Sequence, residues 1–435
     1  MVSQKQTFGL LALLLVAAVP TPVSAKDEYG FDLEEFEKKS KAWGGYAELK
    51  WDRSDINQDG ALSALNFYKD SRSSLESLSS TLQLNGSYSR GVTTFNWLVQ
   101  ATGSQDDLGW TDKADIFEGY ASIKATPNLN MDFGKKVFKW GKGYAWNPVG
   151  FIDRAKDPNN PEEALEGYVG AGLDLVKSYD GPLQTVALTT VALPAWRGVN
   201  EDFGVQDNVN LAAKLYLLYK DTDIDFLWYT GNSRSTRYGV DFSRNLASNL
   251  EVHGELAYVP NQTYRVLDES GQLTARETSD TSYLLGLRYL TENDLTAIVE
   301  FYHNDDGYTE GEMERFFQKV DTGSYQFVTT GDDTLLEQVA VISESGYTKP
   351  QPGRDYLYTR VTQKEPWDIL YFTPGVTIIL NLDDESYSLS PEMLYTGFTN
   401  WEMRLRFSYL NGGRMSEYGE KQNSNKVELR LRYFF

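Results

Sequence analysis

The 435-residue chain contains no cysteine, which removes disulfides, thiolate metal sites, covalently attached haem and cysteine nucleophiles. Histidine is nearly as scarce: two residues cannot assemble a histidine-based metal centre. Positive charge is short as well. Against 62 Asp and Glu stand 41 Lys and Arg, a formal net charge of −21, which disfavours nucleic acid as a partner. Long apolar runs are missing but for one near the start, Gly9 to Val19. It falls well short of the ~20 residues a membrane-spanning helix needs. With Lys5 before it and the small residues Val23 and Ala25 after it, the run reads as a secretory signal over 1–25, cleaved after Ala25, rather than as a retained anchor. The remaining chain from 26 onward has no segment able to cross a bilayer as a helix. Its mean hydropathy of −0.46 does not argue against a membrane, because strands that alternate apolar and polar residues average out polar.

What the chain does have is alternation. At its end, apolar groups occupy 427, 429, 431, 433 and 435 while Glu428, Arg430 and Arg432 fill the positions between. In an extended strand alternate side chains point to opposite faces, so one face is continuously apolar and the other charged. The same pattern recurs in Trp401, Met403, Leu405, Phe407 and Tyr409, set against Glu402, Arg404, Arg406 and Ser408. It recurs again around Leu82, Phe95 and Tyr283.

Eighteen candidate strands follow from these patterns. They lie at 43–51, 79–88, 93–103, 116–126, 130–140, 168–179, 184–193, 209–219 and 222–231, then at 236–245, 249–259, 281–291, 295–304, 355–363, 371–382, 386–397, 400–410 and 426–435. Links after even-numbered strands are short, such as Arg90-Gly91-Val92 and Asp180-Gly181-Pro182. Most links after odd-numbered strands are long, notably 52–78, 141–167, 194–208, 260–280, 305–354 and 411–425. Short inner turns alternating with long outer loops is the topology of an all-β, transmembrane, antiparallel up-and-down barrel with both termini on the periplasmic side. The barrel is expected over 43–435, with sixteen strands as the alternative count. Residues 26–42 form a periplasmic segment whose stretch from Phe31 to Lys39 has helical spacing. A large soluble β-sandwich would also alternate, but it rarely takes eighteen meander hairpins or so many Trp and Tyr at strand ends.

Alternation also says where chemistry can sit. Glu402, Arg404, Arg406, Glu428, Arg430 and Arg432 are expected on one lumen wall, with Arg288 and Arg360 nearby. Asp225, Asp241, Glu251, Glu255 and Glu300 are expected to point inward from the ninth to thirteenth strands. Basic and acidic groups would then face one another across the lumen, an arrangement that orients charged or dipolar solutes. The plainer reading is that these charges pair across strands and keep the wall hydrated. Lys135, Lys136 and Lys139 occupy both parities, so a bulge or an interfacial position must intervene. The segment Trp140-Gly141-Lys142-Gly143-Tyr144-Ala145-Trp146-Asn147-Pro148 opens a loop that could fold into the barrel or cap it, and its glycines and aromatics favour the inward fold. Asp55 to Gly60 matches half of a calcium loop, but Asn66 stands where the bidentate Glu belongs, so a polar surface loop is the better reading. His253 between Glu251 and Glu255 is the sole hint of catalysis, and that spacing is what alternation yields by chance.

The run Phe133-Gly134-Lys135-Lys136 through Trp140-Gly141-Lys142-Gly143 and Asn147-Pro148 resembles the fifth-strand segment of the alginate-export-like group among Gram-negative outer-membrane porins. The terminal Phe435 is similar to the aromatic ending that the assembly machinery of such bacteria reads. This resemblance implies an 18-stranded passive channel in the cell outer membrane, with no cofactor and no enzymatic activity. It would pass small hydrophilic solutes and lie among lipid and lipopolysaccharide, alone or as a homo-oligomer. A polyuronate exporter implies a strongly basic lumen; the lumen here is mixed, so that substrate is not carried over. Two further roles stay open: a barrel sheathing an export or electron-conduit partner, and a barrel-embedded hydrolase.

Overall fold

The computed structural model describes residues 41–107 and 109–435. The expected signal and the helical segment at 31–39 lie outside them. The fold is a single antiparallel sheet of eighteen strands that closes on itself, β18 pairing with β1. In chain order the strands are β1 Lys41–Ile56, β2 Ser74–Arg90, β3 Thr93–Asp106, β4 Gly109–Thr126, β5 Leu129–Lys136, β6 Tyr168–Ser178, β7 Leu183–Ala195, β8 Asn208–Tyr219 and β9 Thr222–Thr230. They continue with β10 Arg237–Ala247, β11 Leu250–Leu267, β12 Leu273–Leu290, β13 Leu295–His303, β14 Asp355–Gln363, β15 Phe372–Asn381, β16 Tyr387–Tyr395, β17 Trp401–Asn411 and β18 Asn423–Phe434. Each overlaps its expected position, so the count is eighteen and not sixteen.

The seam is set by parity. Leu49 stands opposite Leu431 and Trp51 opposite Leu429, while Glu48 meets Arg432 and Lys50 meets Arg430. A slip of one residue would turn every charge outward. The last residue completes the ladder: Gly45 N–H and Phe435 N–H each donate to the other's carbonyl at 3.1 Å. Outward positions such as Leu82, Phe95, Phe226, Leu285, Leu405 and Leu429 are exposed apolar side chains, as a lipid-facing surface requires.

Two departures from the expected layout concern the outer side. The stretch 260–280 is not a loop: β11 runs to Leu267 and β12 starts at Leu273, forming a tall hairpin with a register shift between Val259 and Gln262. Beyond the bilayer a ladder needs hydrogen-bond partners but no apolar parity, so the strand signal fades while the strand continues. The stretch 305–354 carries two helices, α2 Glu310–Thr330 and α3 Thr334–Ser343, which join α1 (Ala61–Phe67) in an outer cap. Thr309 and Glu312 form a capping box at the start of α2. Met313, Phe316, Phe317 and Val320 then bury one face against Leu65, Leu267, Leu336 and Tyr347. The half-matched calcium loop is absorbed here: Asn57 Nδ2 donates to the carbonyls of Gly419 and Lys421, and Ala61 N–H donates to Glu420 at 2.6 Å.

Candidate functional site: a loop folded across the lumen

The lysine conflict in β5 resolves at its end. Gly134 sits at φ +127, where a Cβ would lie 2.3 Å from the Gly119 carbonyl, and the strand stops two residues later at Lys136. Lys136 pairs inward with Asp132, Lys135 pairs with Glu166, and Lys139 lies beyond the strand with φ 55. The chain then leaves the wall.

Residues 137–167 fold into the barrel. Asp153 secures the entry by accepting N–H bonds from Phe138, Lys139 and Trp140 at 2.9, 3.2 and 2.8 Å. Burial pushes its carboxyl above the usual range, and those three N–H groups oppose the shift. Gly141 turns at φ +97, and a side chain there would strike both Asn147 and Glu255. The next residues reach the opposite wall. Glu255 accepts from the backbones of Lys142, Gly143 and Val149 at 2.5, 2.6 and 3.2 Å, and Glu300 accepts from Tyr144 and, at 2.8 Å, from Ala145. Trp146 packs among Tyr302, Tyr356 and Tyr358. Lys142 meets Asp225 at 2.9 Å and Asp241 at 3.8 Å; burial opposes its charge, yet these carboxylates carry the ammonium above its usual value. Lys156 donates to the Gly143 carbonyl at 2.6 Å, and its burial lowers its pKa.

Glu255 and Glu300, expected to present charge to the lumen, point inward but are buried beneath this loop. Their oxygens are consumed by backbone donors, so they act as tethers. Asp225 and Asp241 are buried likewise. His253 is buried, bonded at 2.8 Å to Glu300 rather than to Glu255, with Glu251 3.8 Å from its other nitrogen. Glu251 itself also accepts from Ser243, and in register it faces Arg288. Arg288 stands on β12 opposite Ile298 of β13, which in turn stands opposite Arg360 of β14, and the other expected arginines lie further along the sheet.

Those others do gather. Arg360 donates to Glu392 at 2.7 Å, and Arg406 reaches the second oxygen of the same carboxylate at 2.7 Å. Arg430 pairs with Glu428 at 2.9 Å, and Arg432 with Glu48 at 2.7 Å. Arg404 stands 3.5 Å from Glu402. The result is a lattice of paired charges on the inner face of β14, β16, β17, β18 and β1. Charge-assisted pairs of this kind hold long side chains in fixed geometry. Glu48 and Glu392 were not singled out, although the alternation that placed Arg432 and Arg406 would have found them.

The far end of the loop meets this lattice. Arg406 Nη1 donates to Asn160 at 2.7 Å, and Arg430 Nη1 donates to Glu163 at 2.5 Å. Glu162, next in line, accepts from the Tyr144 hydroxyl at 2.8 Å. No sequence signal identifies Asn160 or Glu163, because their position depends on how the loop closes. A cavity of about 1030 Å³ lies between the loop and the outer ends of β10 to β13, with Arg237, Asp280 and Asp306 in its wall.

No protein-family model matches the chain, and no curated protein matches it. Solved structures do. OccAB1 of Acinetobacter baumannii superposes with a TM-score of 0.53 at 10% identity, covering 91% of this chain and 97% of the other. A BenF-like porin of Pseudomonas fluorescens Pf-5 gives 0.54 at 11% identity over 91% and 99%. OccK2 (OpdF) of Pseudomonas aeruginosa, in complex with glucuronate, gives 0.51 at 11% identity over 91% and 98%. These likenesses establish the barrel fold over nearly the whole described chain. They lend no support to the closer grouping with alginate exporters.

Proposed function

We propose that this protein is an outer-membrane channel of a Gram-negative bacterium that passes small hydrophilic solutes by diffusion, and that the gap between the inner loop and the arginine lattice selects among them. One observation carries the reading: a loop rooted in β5 and β6 crosses the lumen, is tethered to Glu255 and Glu300, and faces Arg360, Arg404, Arg406, Arg430 and Arg432. A narrow polar gap with fixed charges sets which ions and dipoles enter. The likeness in fold to a BenF-like porin supports this use of the barrel. The sugar acid in the OccK2 complex fits a wall rich in arginine, and we extend an anionic preference to this chain on that basis. Residues 1–25 then serve export and the segment from 26 to the start of β1 at Lys41 remains on the periplasmic side. The acidic outer loops meet lipopolysaccharide through divalent cations. A loop that crosses the lumen disfavours a sheathed protein partner, and the burial of His253 against Glu300 disfavours a hydrolase.

Planar-bilayer recording tests the reading. Purified protein should give stable ohmic steps, and neutralising Arg404, Arg406, Arg430 and Arg432 together should shift the reversal potential in a salt gradient toward cation preference. Silence from correctly folded protein in both forms would refute it.

A further inference from the structure

The loop touches the arginine lattice through two polar contacts, and they differ in kind. Asn160 offers Arg406 a neutral oxygen, whereas Glu163 offers Arg430 a carboxylate. The side chain of Arg430 is 4% exposed, fixed by Glu428 and near Glu48, yet the Glu163 side chain is 49% exposed. One partner belongs to the wall and the other to a loop tip in contact with water. Arg430 and Arg404 each also keep a buried Nε with no acceptor among the described residues. The wall thus holds more donors than its own carboxylates satisfy, and the loop supplies one anion to them.

Resting on the channel reading, we propose that Glu163 is a displaceable gate: its carboxylate occupies the position on Arg430 that a small anionic solute takes during passage, and the gap opens when the solute replaces it. The Glu163 end of the pair is open to water, where salt screens it and weakens the contact with the buried Arg430. Breaking the contact is therefore within thermal reach, and a competing anion needs only modest affinity. The tethers at Glu255 and Glu300 are buried and bonded to backbone, so the rest of the loop stays in place while the tip moves.

The test is single-channel recording of the full chain in potassium chloride, with acetate as the probe anion. Wild-type protein should close often at low salt, and acetate should lengthen its openings. In Glu163→Gln the closed-to-open ratio should fall by roughly fivefold, the most such a pair is expected to supply, and both the salt and the acetate dependence should vanish. Glu163→Asp keeps the charge and should retain both responses in weakened form. A wild type that is silent beside a conducting Glu163→Gln also supports the gate. If Glu163→Gln closes as often as wild type and still responds to acetate, the gate is wrong while the channel stands. If no form conducts, the channel reading falls and the gate with it.

Discussion

Two stretches of the same barrel wall carry inward-pointing charge, and they are built for different ends. On β9 to β13, Asp225, Asp241, Glu255 and Glu300 lie beneath the loop, answered by backbone N–H groups and by Lys142. On β14, β16 to β18 and β1, arginines and glutamates answer one another side chain to side chain, and only the loop tip reaches them. Parity is identical in the two places. What differs is the partner: where the loop lies on the wall an inward carboxylate is spent on backbone donors and becomes a tether, whereas the lattice charges, though buried too, pair with one another and with the loop tip. An inward position is thus necessary for lining a pore but does not suffice.

The comparison presupposes that parity divides lipid from lumen, and β18 is where that premise is easiest to break. Leu429→Arg would place a guanidinium against lipid at a cost of about 2–4 kcal/mol near the midplane. It should abolish assembly into membranes, read as loss of the folded, heat-resistant form. Arg430→Leu should assemble, because its inward neighbours Glu428 and Glu48 remain beside Lys426 and Arg432. Equal yields from the two variants would invalidate the facing.

A smaller effect separates the two stretches themselves. Glu300→Ala strips the acceptor from the Tyr144 and Ala145 backbones and from His253. Each buried donor left unpaired costs roughly 1–3 kcal/mol. The loop should lift from the wall, raising conductance severalfold and lowering the unfolding temperature in detergent. Glu402→Ala, whose nearest partner is Arg404 at 3.5 Å, should change selectivity with little loss of stability. Matching losses of stability would erase the distinction.

Much of this was legible in the sequence, for a definite reason. The period-2 pattern is local, so Leu429, Arg430 and Leu431 declare their faces without reference to the rest of the chain. All eighteen strands and the gathering of Arg404, Arg406, Arg430 and Arg432 follow from that alone. The capping box at Thr309 and the apolar spacing of Met313, Phe316, Phe317 and Val320 are equally local, and α2 could have been read from them. The tether role of Glu255 could not. It depends on a turn at Gly141 that brings residues 142 and 143 to a strand more than a hundred positions away, and nothing near Glu255 records the encounter. Lys142 to Ala145 hid their role for the same reason, since backbone N–H groups leave no mark in residue identity.

The smallest effect belongs to the residue that fits neither stretch. Arg288 is inward by parity and faces Glu251 in register, but it lies on β12, separated from Arg360 by Ile298 of β13. If pairing within the lattice decides what inward charge does, an inward arginine that faces Glu251 instead keeps its wall hydrated and adds little to selection. Arg288→Gln should then leave the reversal potential close to the wild-type value, while Arg406→Gln, which releases Asn160 and leaves Glu392 to Arg360 alone, shifts it clearly. A shift from Arg288→Gln as large as that from Arg406→Gln would mean that the whole inner perimeter selects, and that the lattice facing the loop has no privileged part in it.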